Sequence, residues 1–530
     1  CSWRHSCRRA VLFHPPFLMP KITVPVVGQY GLVKDQPNQE LPVNAWSRAV
    51  NMRFRDGCAE RMEGESSVLT TPSITPYYID AFQTSAARFF VYAGTQKVFV
   101  DDGTTRTEIT PGSTFTGTQD DRWTGGTLNG VLVMNNGVER PQYWNGNTGT
   151  DLANLTGWDA NWKAAVVRPF KNYLIALDLT KSGTRYPHMV KWSSSADPGA
   201  VPASWDETDP TIDAGELDLA EEPSLMVDCL PMGDMNIIYK ERAMFAQTLG
   251  GADFIWNFRK LPGDVGALAR GCIANFPGGH AVLTAGDVIS HSGQGPRSII
   301  NARMRKWLFN NLDSDNYKRA FLVSNPPKNE VWVCIPTPGD SVPTIALVWN
   351  YVDDNWTIRE LNDLAYACNG QVTISSATAW SAQTGTWATW AEAWNSNPFA
   401  PTAARLVGCS TDPLIVLADS GGTYSGASYT SVLEREGLAF DAPDRVKVMK
   451  GLYPRFDAAA GTQIRVEFGG SMDAENGCTW SAPVNYTVGS SYRVDSFASG
   501  RFLAVRFTSL DDSAWRLKSY DVDIEPMGMY

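Results

Sequence analysis

Charge is scarce in this chain, histidine scarcer, and long apolar runs are missing. Asp, Glu, Lys and Arg make up 19% of 530 residues, a low share for a soluble monomer. With 19 Trp, 18 Tyr and 22 Phe beside them, the balance leans towards a subunit of an assembly, because aromatics suit sheet surfaces and large interfaces. No stretch approaches about 18 consecutive apolar residues, which excludes a transmembrane helix. The nine cysteines (Cys1, Cys7, Cys58, Cys229, Cys272, Cys334, Cys368, Cys409, Cys478) are odd in number, widely spaced and free of any C-x-x-C. That pattern excludes a disulfide framework and a clustered zinc site, and it reads as reduced thiols of a protein folded in the cytoplasm.

Nucleotide and hydrolase signatures are missing too. There is no Walker loop, no G-x-S-x-G elbow and no dinucleotide fingerprint in a strand–loop–helix setting. The five histidines are His5, His14, His188, His280 and His291. Only His280 and His291 are close, on neighbouring strands of one hairpin, and without H-E-x-x-H spacing they read as blade or surface histidines. The net charge is −11, and the concentrated basic runs are Arg4 to Arg9 and Arg297 to Lys306. Tight nucleic-acid binding is therefore not expected, while a transient contact with DNA is compatible with this balance.

At the start, basic residues precede an apolar patch that His14, Pro15 and Pro16 interrupt, so a signal-peptide core is not formed. Residues 1–18 read as an upstream extension, with Met19 as the natural start.

What is present is strand after strand. Arg319 to Glu360 contains four: Phe321–Ser324, Glu330–Ile335, Thr344–Tyr351 and Trp356–Arg359, with Pro and Gly between them and not inside them. That is a meander the size of one propeller blade. Hairpins recur from Tyr77 to about Phe440, for example Arg88–Ala93 with Lys97–Asp101, His280–Ala285 with Val288–His291, and Leu414–Ala418 with Thr423–Tyr424. They predict an all-β protein, a propeller of about six or seven blades over residues 77–442. Residues 19–76 are expected to form an N-terminal arm with a first strand over Ala49–Arg55. From 443 to 530 the alternation of Ile464, Val466 and Phe468, and of Leu503, Val505 and Phe507, predicts a β-sandwich-like domain. The best helix candidate is Ser298–Leu312.

Five acidic pairs stand out: Asp101-Asp102, Asp120-Asp121, Glu221-Glu222, Asp353-Asp354 and Asp511-Asp512. Propeller glycosidases use axial carboxylates, but these pairs fall mostly in turns, where Asp favours chain reversal. Asp313-Ser314-Asp315-Asn316 resembles the start of a calcium loop and lacks its later Gly and Glu. Arg297, Arg303, Arg305 and Lys306, near Trp307, could touch phosphate; a solvated face is the blander reading. Trp380, Trp387, Trp390 and Trp394 suit core packing, a subunit interface or a sugar platform.

Several segments resemble one family: LPVNAWSRAVNMRFRDGCAERMEG, VKWSSSADPGAVPASWD, NEVWVCIPTPG with ALVWNYVDDNWTIREL, LEREGLAF, and the C-terminal GRFLAVRFTSLDDSAWRLKSYDVDIEPMGMY. They are similar to the tail nozzle, or packaged-DNA stabilisation (tail hub) protein, of short-tailed bacteriophages, over about residues 20–530. The resemblance implies a propeller with an added β-domain, and six copies in a ring below the portal and adaptor. That ring continues the DNA channel, retains the packaged genome and conducts it during ejection. It implies contacts with the adaptor, with tail fibres or spikes and a needle or plug, and transiently with DNA. It places the protein in the virion tail, assembled in the bacterial cytoplasm. It implies no enzymatic activity, no cofactor, and no catalytic, cofactor-binding or metal-binding residue. The alternative from the residues alone is a propeller that binds or degrades glycans.

Overall fold

The computed structural model describes residues 21–84, 87–251, 254–372, 404–474 and 477–529. Seven four-stranded antiparallel blades follow one another around an axis. Blade 1 begins at Tyr78–Gln83, blade 2 at Thr124–Leu128, blade 3 at Trp162–Phe170 and blade 4 at Met226–Met232. Blade 5 begins at Ile273–Phe276, blade 6 at Phe321–Asn325 and blade 7 at Leu364–Gly370. These first strands pack on one another from blade to blade, so they are the inner strands that face the axis.

Burial explains the closure. Each neighbouring pair of blades shares an apolar cluster, such as Val91 with Leu132 and Trp144 between blades 1 and 2. Ile237 and Tyr239 with Val282 and Ile289 join blades 4 and 5. Val407 and Leu417 with Ile79 and Tyr92 bring blade 7 back to blade 1. Seven such seams close the ring, and each sheet is buried on both faces. Their strands accordingly read as short continuous apolar runs more than as alternation.

The C-terminal region is a sandwich of two sheets. One sheet orders Met52–Arg55, Cys58–Arg61, Trp515–Met529, Arg445–Ala458 and Val494–Gly500, with Ile22–Val24 also on Trp515–Met529. The other orders Arg48–Val50, Val432–Leu438, Phe502–Ser509 and Gln463–Ser471, with Thr479–Trp480 and Val484–Thr487 on the last. Ile464, Val466 and Phe468 meet Leu503, Val505 and Phe507 in its core, as their alternation predicts. Trp46 seals it against Phe507 and Tyr520, and its Nε1–H donates to the Val27 carbonyl at 2.6 Å.

The N-terminal segment corrects the expectation of an arm with one strand. It is woven through three sheets. Arg48–Val50 lies between Val432–Leu438 of the sandwich and Asn355–Glu360 of blade 6, making one continuous ten-stranded sheet. Met52–Arg55 and Cys58–Arg61 join the other sandwich sheet. Glu65–Val68 then pairs with Leu414–Ala418 as the fourth strand of blade 7. The predicted hairpin of Leu414–Ala418 with Thr423–Tyr424 is therefore replaced by a pairing with the N-terminal segment. The sandwich also begins at Val432, ahead of the predicted boundary at 443.

The switch between sheets occurs at Asn51, whose φ of +55° breaks the predicted Ala49–Arg55 strand in two. Its backbone N–H donates to Ile358 (2.8 Å) and its carbonyl accepts from Met62 (3.0 Å). Its side-chain NH2 donates to Glu360 and to the Thr430 carbonyl, both 2.9 Å, and its Oδ1 accepts the Glu360 N–H at 2.9 Å. Asn tolerates this backbone region better than Ala does. Asn51→Ala removes these three hydrogen bonds and a fourth, from the Tyr424 hydroxyl to Oδ1 at 3.2 Å, and strains the turn, so we expect a loss of about 2–3 kcal/mol in urea unfolding. A loss under ~0.5 kcal/mol would show that the crossover does not depend on this side chain.

The predicted helix over Ser298–Leu312 is shorter in the structure, Arg305–Asn311. Ala302 at φ +57° turns the chain before it. Ile299, Ile300, Met304 and Leu308 are buried all the same, so the apolar spacing reflects a turn followed by a helix. Asp35 of the N-terminal segment accepts the N–H groups of Lys306 (2.9 Å) and Trp307 (3.2 Å) and so fixes the helix start. Among the described residues no helix is long and apolar enough to cross a membrane.

Candidate functional site

Two buried charged constellations stand out among the described residues. The first joins propeller to sandwich. Arg53, on the sandwich strand Met52–Arg55, is 2% exposed and forks onto Glu330 and Asp419. Its Nη2 donates to Glu330 Oε2 at 3.1 Å and to Asp419 at 2.9 and 3.0 Å. Arg359 of blade 6, fully buried, reaches the same Asp419 (3.2 Å) and Glu65 of the blade-closing strand (3.3 Å). Asn325 donates to Asp419 at 2.7 Å, and Trp332 Nε1–H to Glu330 at 3.0 Å. The Arg359 guanidinium also lies over the Trp332 ring, 4.7 Å from its centroid. Burial opposes ionisation of Asp419, but Arg53 and Arg359 outweigh it and hold its carboxyl well below the usual range. Burial pushes Glu65 the other way, against the pull of Arg359. Five side chains from the sandwich, blades 6 and 7 and the N-terminal segment thus form one ionic clasp.

The second constellation rings the propeller axis. Arg168 of blade 3 holds Asp228 of blade 4 through two hydrogen bonds, 3.0 and 2.9 Å. Asp228 also accepts the N–H groups of Cys229 (2.9 Å) and of Gly271 (3.1 Å), which leads into blade 5. Burial opposes its charge, yet Arg168 keeps it below the ordinary carboxylate range. Asp80 of blade 1 is raised by burial and accepts the Tyr78 hydroxyl at 3.3 Å. Tyr78 stacks on Tyr366 of blade 7 with centroids 5.2 Å apart. Arg122, just before blade 2, lies over Tyr366 (5.2 Å) and Phe321 (5.9 Å). Arg270, just before blade 5, donates to the Arg122 carbonyl at 3.4 Å. Burial disfavours the charge of both. Arg168, Arg122 and Arg270 thus stand near the axis with Asp80 and Asp228, and Asp178 and Asp121 also act on Arg270.

The residues singled out in the sequence are used differently. His280 and His291 do meet, with Tyr239 Oη between them at 2.6 Å from His280 Nδ1 and 2.7 Å from His291 Nε2. His280 Nε2 faces the Pro231 carbonyl (3.1 Å), and the Gly293 N–H donates to His291 Nδ1 (3.3 Å). These contacts fix one direction of donation: His291 Nε2–H to Tyr239, Tyr239 O–H to His280, His280 Nε2–H to Pro231. Both rings are neutral and saturated in that chain, which makes it a packing network between blades 4 and 5.

The acidic pairs stay apart and serve turns or ion pairs. Asp101 accepts the N–H groups of Gly103 and Thr70, Asp102 those of Thr104 and Thr105, and Asp511 those of Gln463 and Ser513. Asp120 pairs with Arg319 (2.9 Å), Asp121 accepts from Thr118, and Glu222 accepts from Ser224. Asp353 and Asp354 accept from Asn350 and Trp349, and Asp512 from Ser428. Asp313 binds the N–H groups of Asp315, Asn316 and Gly339, a turn in place of a calcium loop. In the basic run, Arg303 and Arg305 are bound to the carbonyls of Tyr30 and Gly286, while Arg297 and Lys306 are exposed. No group of His, Cys, Asp and Glu among the described residues could hold a metal. The tryptophans at 380–394, and Cys1, Cys7, His5 and His14, lie outside the described residues.

Sequence reasoning passed over Arg53, Arg359, Asp419, Arg168, Asp228 and Tyr239. One signal was available: Arg53 stands between Met52 and Phe54, and Arg359 ends the apolar run Trp356–Ile358. A charge placed in such a run is buried only if paired.

No protein-family model matches the sequence, and no curated protein sequence does. Similar solved structures include PorZ, a surface component of the type-IX secretion system of Porphyromonas gingivalis, at 9% identity and a TM-score of 0.36. That likeness covers 80% of this chain and 46% of PorZ, so the chain spans less than half of that protein's length. The WD40 β-propeller domain of Doa1 is 10% identical, with a TM-score of 0.35, over 67% of this chain and 96% of that one. YCF48, solved bound to D1 peptide, is 10% identical with a TM-score of 0.35, over 66% and 94%. Likenesses this distant carry no argument about fold or function. The fold itself follows from the seven seams: the chain is a β-propeller with a β-sandwich attached.

Proposed function

We propose that this chain is a structural subunit of a short-tailed phage tail, the nozzle, six copies of which form a ring below the adaptor. In this reading it continues the DNA channel, holds the packaged genome and conducts it on ejection, with no reaction of its own. The observation that supports it most is the weaving of the N-terminal segment through both sandwich sheets and into blade 7. That path, with the Arg53 and Arg359 clasp, makes propeller and sandwich one stiff body. A conduit under internal pressure needs such a body, because any hinge would open the channel wall. The segment resemblance over residues 20–530 supplies the particular role.

Six head-to-tail copies would close through heterologous interfaces. The test is co-expression with a short-tailed phage adaptor ring, followed by native mass spectrometry and electron microscopy of the purified complex. Six copies seated on the adaptor are expected. Failure to associate with any adaptor or portal ring, with both partners folded, would sink the proposal.

A further inference from the structure

Two apolar features are left uncovered, and they stand on different domains. The first is a knob on blade 4. Its third and fourth strands, Met244–Leu249 and Trp256–Lys260, form a hairpin. The tip presents Leu249, Phe254 and Ile255 to solvent, with Phe254 72% exposed. The Gly250 N–H donates to the Ile255 carbonyl at 2.8 Å and holds the neck of the tip together. The second feature is a cleft of about 580 Å³ in the sandwich, open to solvent. Met472, Asp473, Trp480, Phe497 and Ser499 are among its walls. Phe497 is 64% exposed there, and Trp480 is held by the Arg506 guanidinium over its ring, 3.8 Å from the centroid.

Both features lie on free sheet edges. Phe497 stands on Val494–Gly500, the last strand of its sheet, and Trp256–Lys260 is the last strand of blade 4. An unpaired edge that also displays large apolar side chains invites another chain to cover it. The cleft is far larger than a water, whose share of liquid volume is about 30 Å³. It has the size of pockets that take a group of several side chains, about 300–1,000 Å³. No residue from blade 4 lines it, so the knob does not fill the cleft of its own chain. Charge points the same way. Arg259 is exposed on the side of the outer strand that Ile255 and Asn257 also expose, and Asp473 is exposed in the cleft wall. A cation beside the knob and an acid beside the cleft give the two features complementary rims.

We propose that the blade-4 tip inserts into the sandwich cleft of a second copy, so that copies of this chain join head to tail. A contact made from two different patches of one chain is heterologous and repeats from copy to copy. The inference deepens the ring reading above by naming the contact between its subunits, and it rests on that reading for the number of copies.

The test uses the full chain alone, without an adaptor, in sedimentation velocity at rising concentration up to the solubility limit. The wild type is expected to associate beyond a dimer. F254D removes the knob and F497D spoils the cleft, and each should weaken association at least about tenfold, the scale of losing one aromatic anchor. An equimolar mixture of the two variants is the decisive sample, because it holds one intact cleft and one intact knob. It should form a one-to-one complex that grows no further, while the double variant F254D/F497D stays monomeric. Both side chains are largely exposed, so circular dichroism should show an unchanged fold; F254S and F497S replace any aspartate variant that does not fold. A wild type that is monomeric at every concentration overturns the proposal. So do single variants that associate as the wild type does, and a mixture that stays monomeric or grows past the one-to-one complex. The adaptor takes no part, so failure here is distinct from failure of the ring to seat on its platform.

Discussion

Arg53→Met will destabilise the chain by about 3–5 kcal/mol, the range for removing one partner of a buried ion pair. The reason is what remains. Glu330 is 1% exposed and Asp419 is 7% exposed, and both lose their principal cation. Arg359 still reaches Asp419, but Glu330 would keep only Trp332 Nε1–H among these partners. The loss will show as a lower midpoint in urea unfolding followed by tryptophan fluorescence. A partner change should recover part of it: Glu330→Gln on the Arg53→Met background removes the stranded charge. If Arg53→Met costs under ~1 kcal/mol, the clasp is not what joins the two domains.

Acidification from pH 6.5 to 4 will destabilise the propeller through the His280–Tyr239–His291 network. Burial pushes both histidines down from the usual 6.5 to about 4. Above pH 6.5 the rings are neutral in folded and unfolded chains alike, and the network contributes in full. Below it the unfolded chain takes up protons that the folded chain refuses, so stability falls until the folded rings also titrate near 4. Each ring accounts for about 3 kcal/mol at most across that window. Asp419 adds a separate, more acidic step. Its carboxyl is depressed in the fold, so its contribution is present above the ordinary carboxylate range and is lost as pH falls through the lower, folded value. His280→Gln with His291→Gln should flatten the decline between pH 6.5 and 4 while leaving the more acidic step in place. An unchanged slope in the double variant would show that these histidines do not set the acid limit.

The blades were legible because turn chemistry punctuates them. The four strands between Arg319 and Glu360 are the four strands of blade 6, displaced by a residue or two at their ends. The sandwich strands declared themselves by alternation. Glu65–Val68 did not, because E-S-S-V has no apolar face and its partner lies near the far end of the chain. Helix length was misjudged because the stop at Ala302 and the support from Asp35 are tertiary facts. The charged clusters were hidden for a similar reason. Arg53 within M-R-F-R reads as the polar face of a half-buried strand, and only the convergence of Glu330, Asp419, Arg359 and Glu65 makes it interior. The histidine pair was visible as a neighbouring pair, but Tyr239, which saturates it, belongs to another blade.

The N-terminal strand in blade 7 orders events at the ribosome. The strand that completes the ring is synthesised first, and Leu414–Ala418, its neighbour, emerges after the intervening blades. Until then the growing polypeptide carries an unsatisfied edge, and the circle can be latched only near the end of translation. The same latch brings Glu65 to Arg359 and Asp419, beside the Arg53 that carries the clasp into the sandwich.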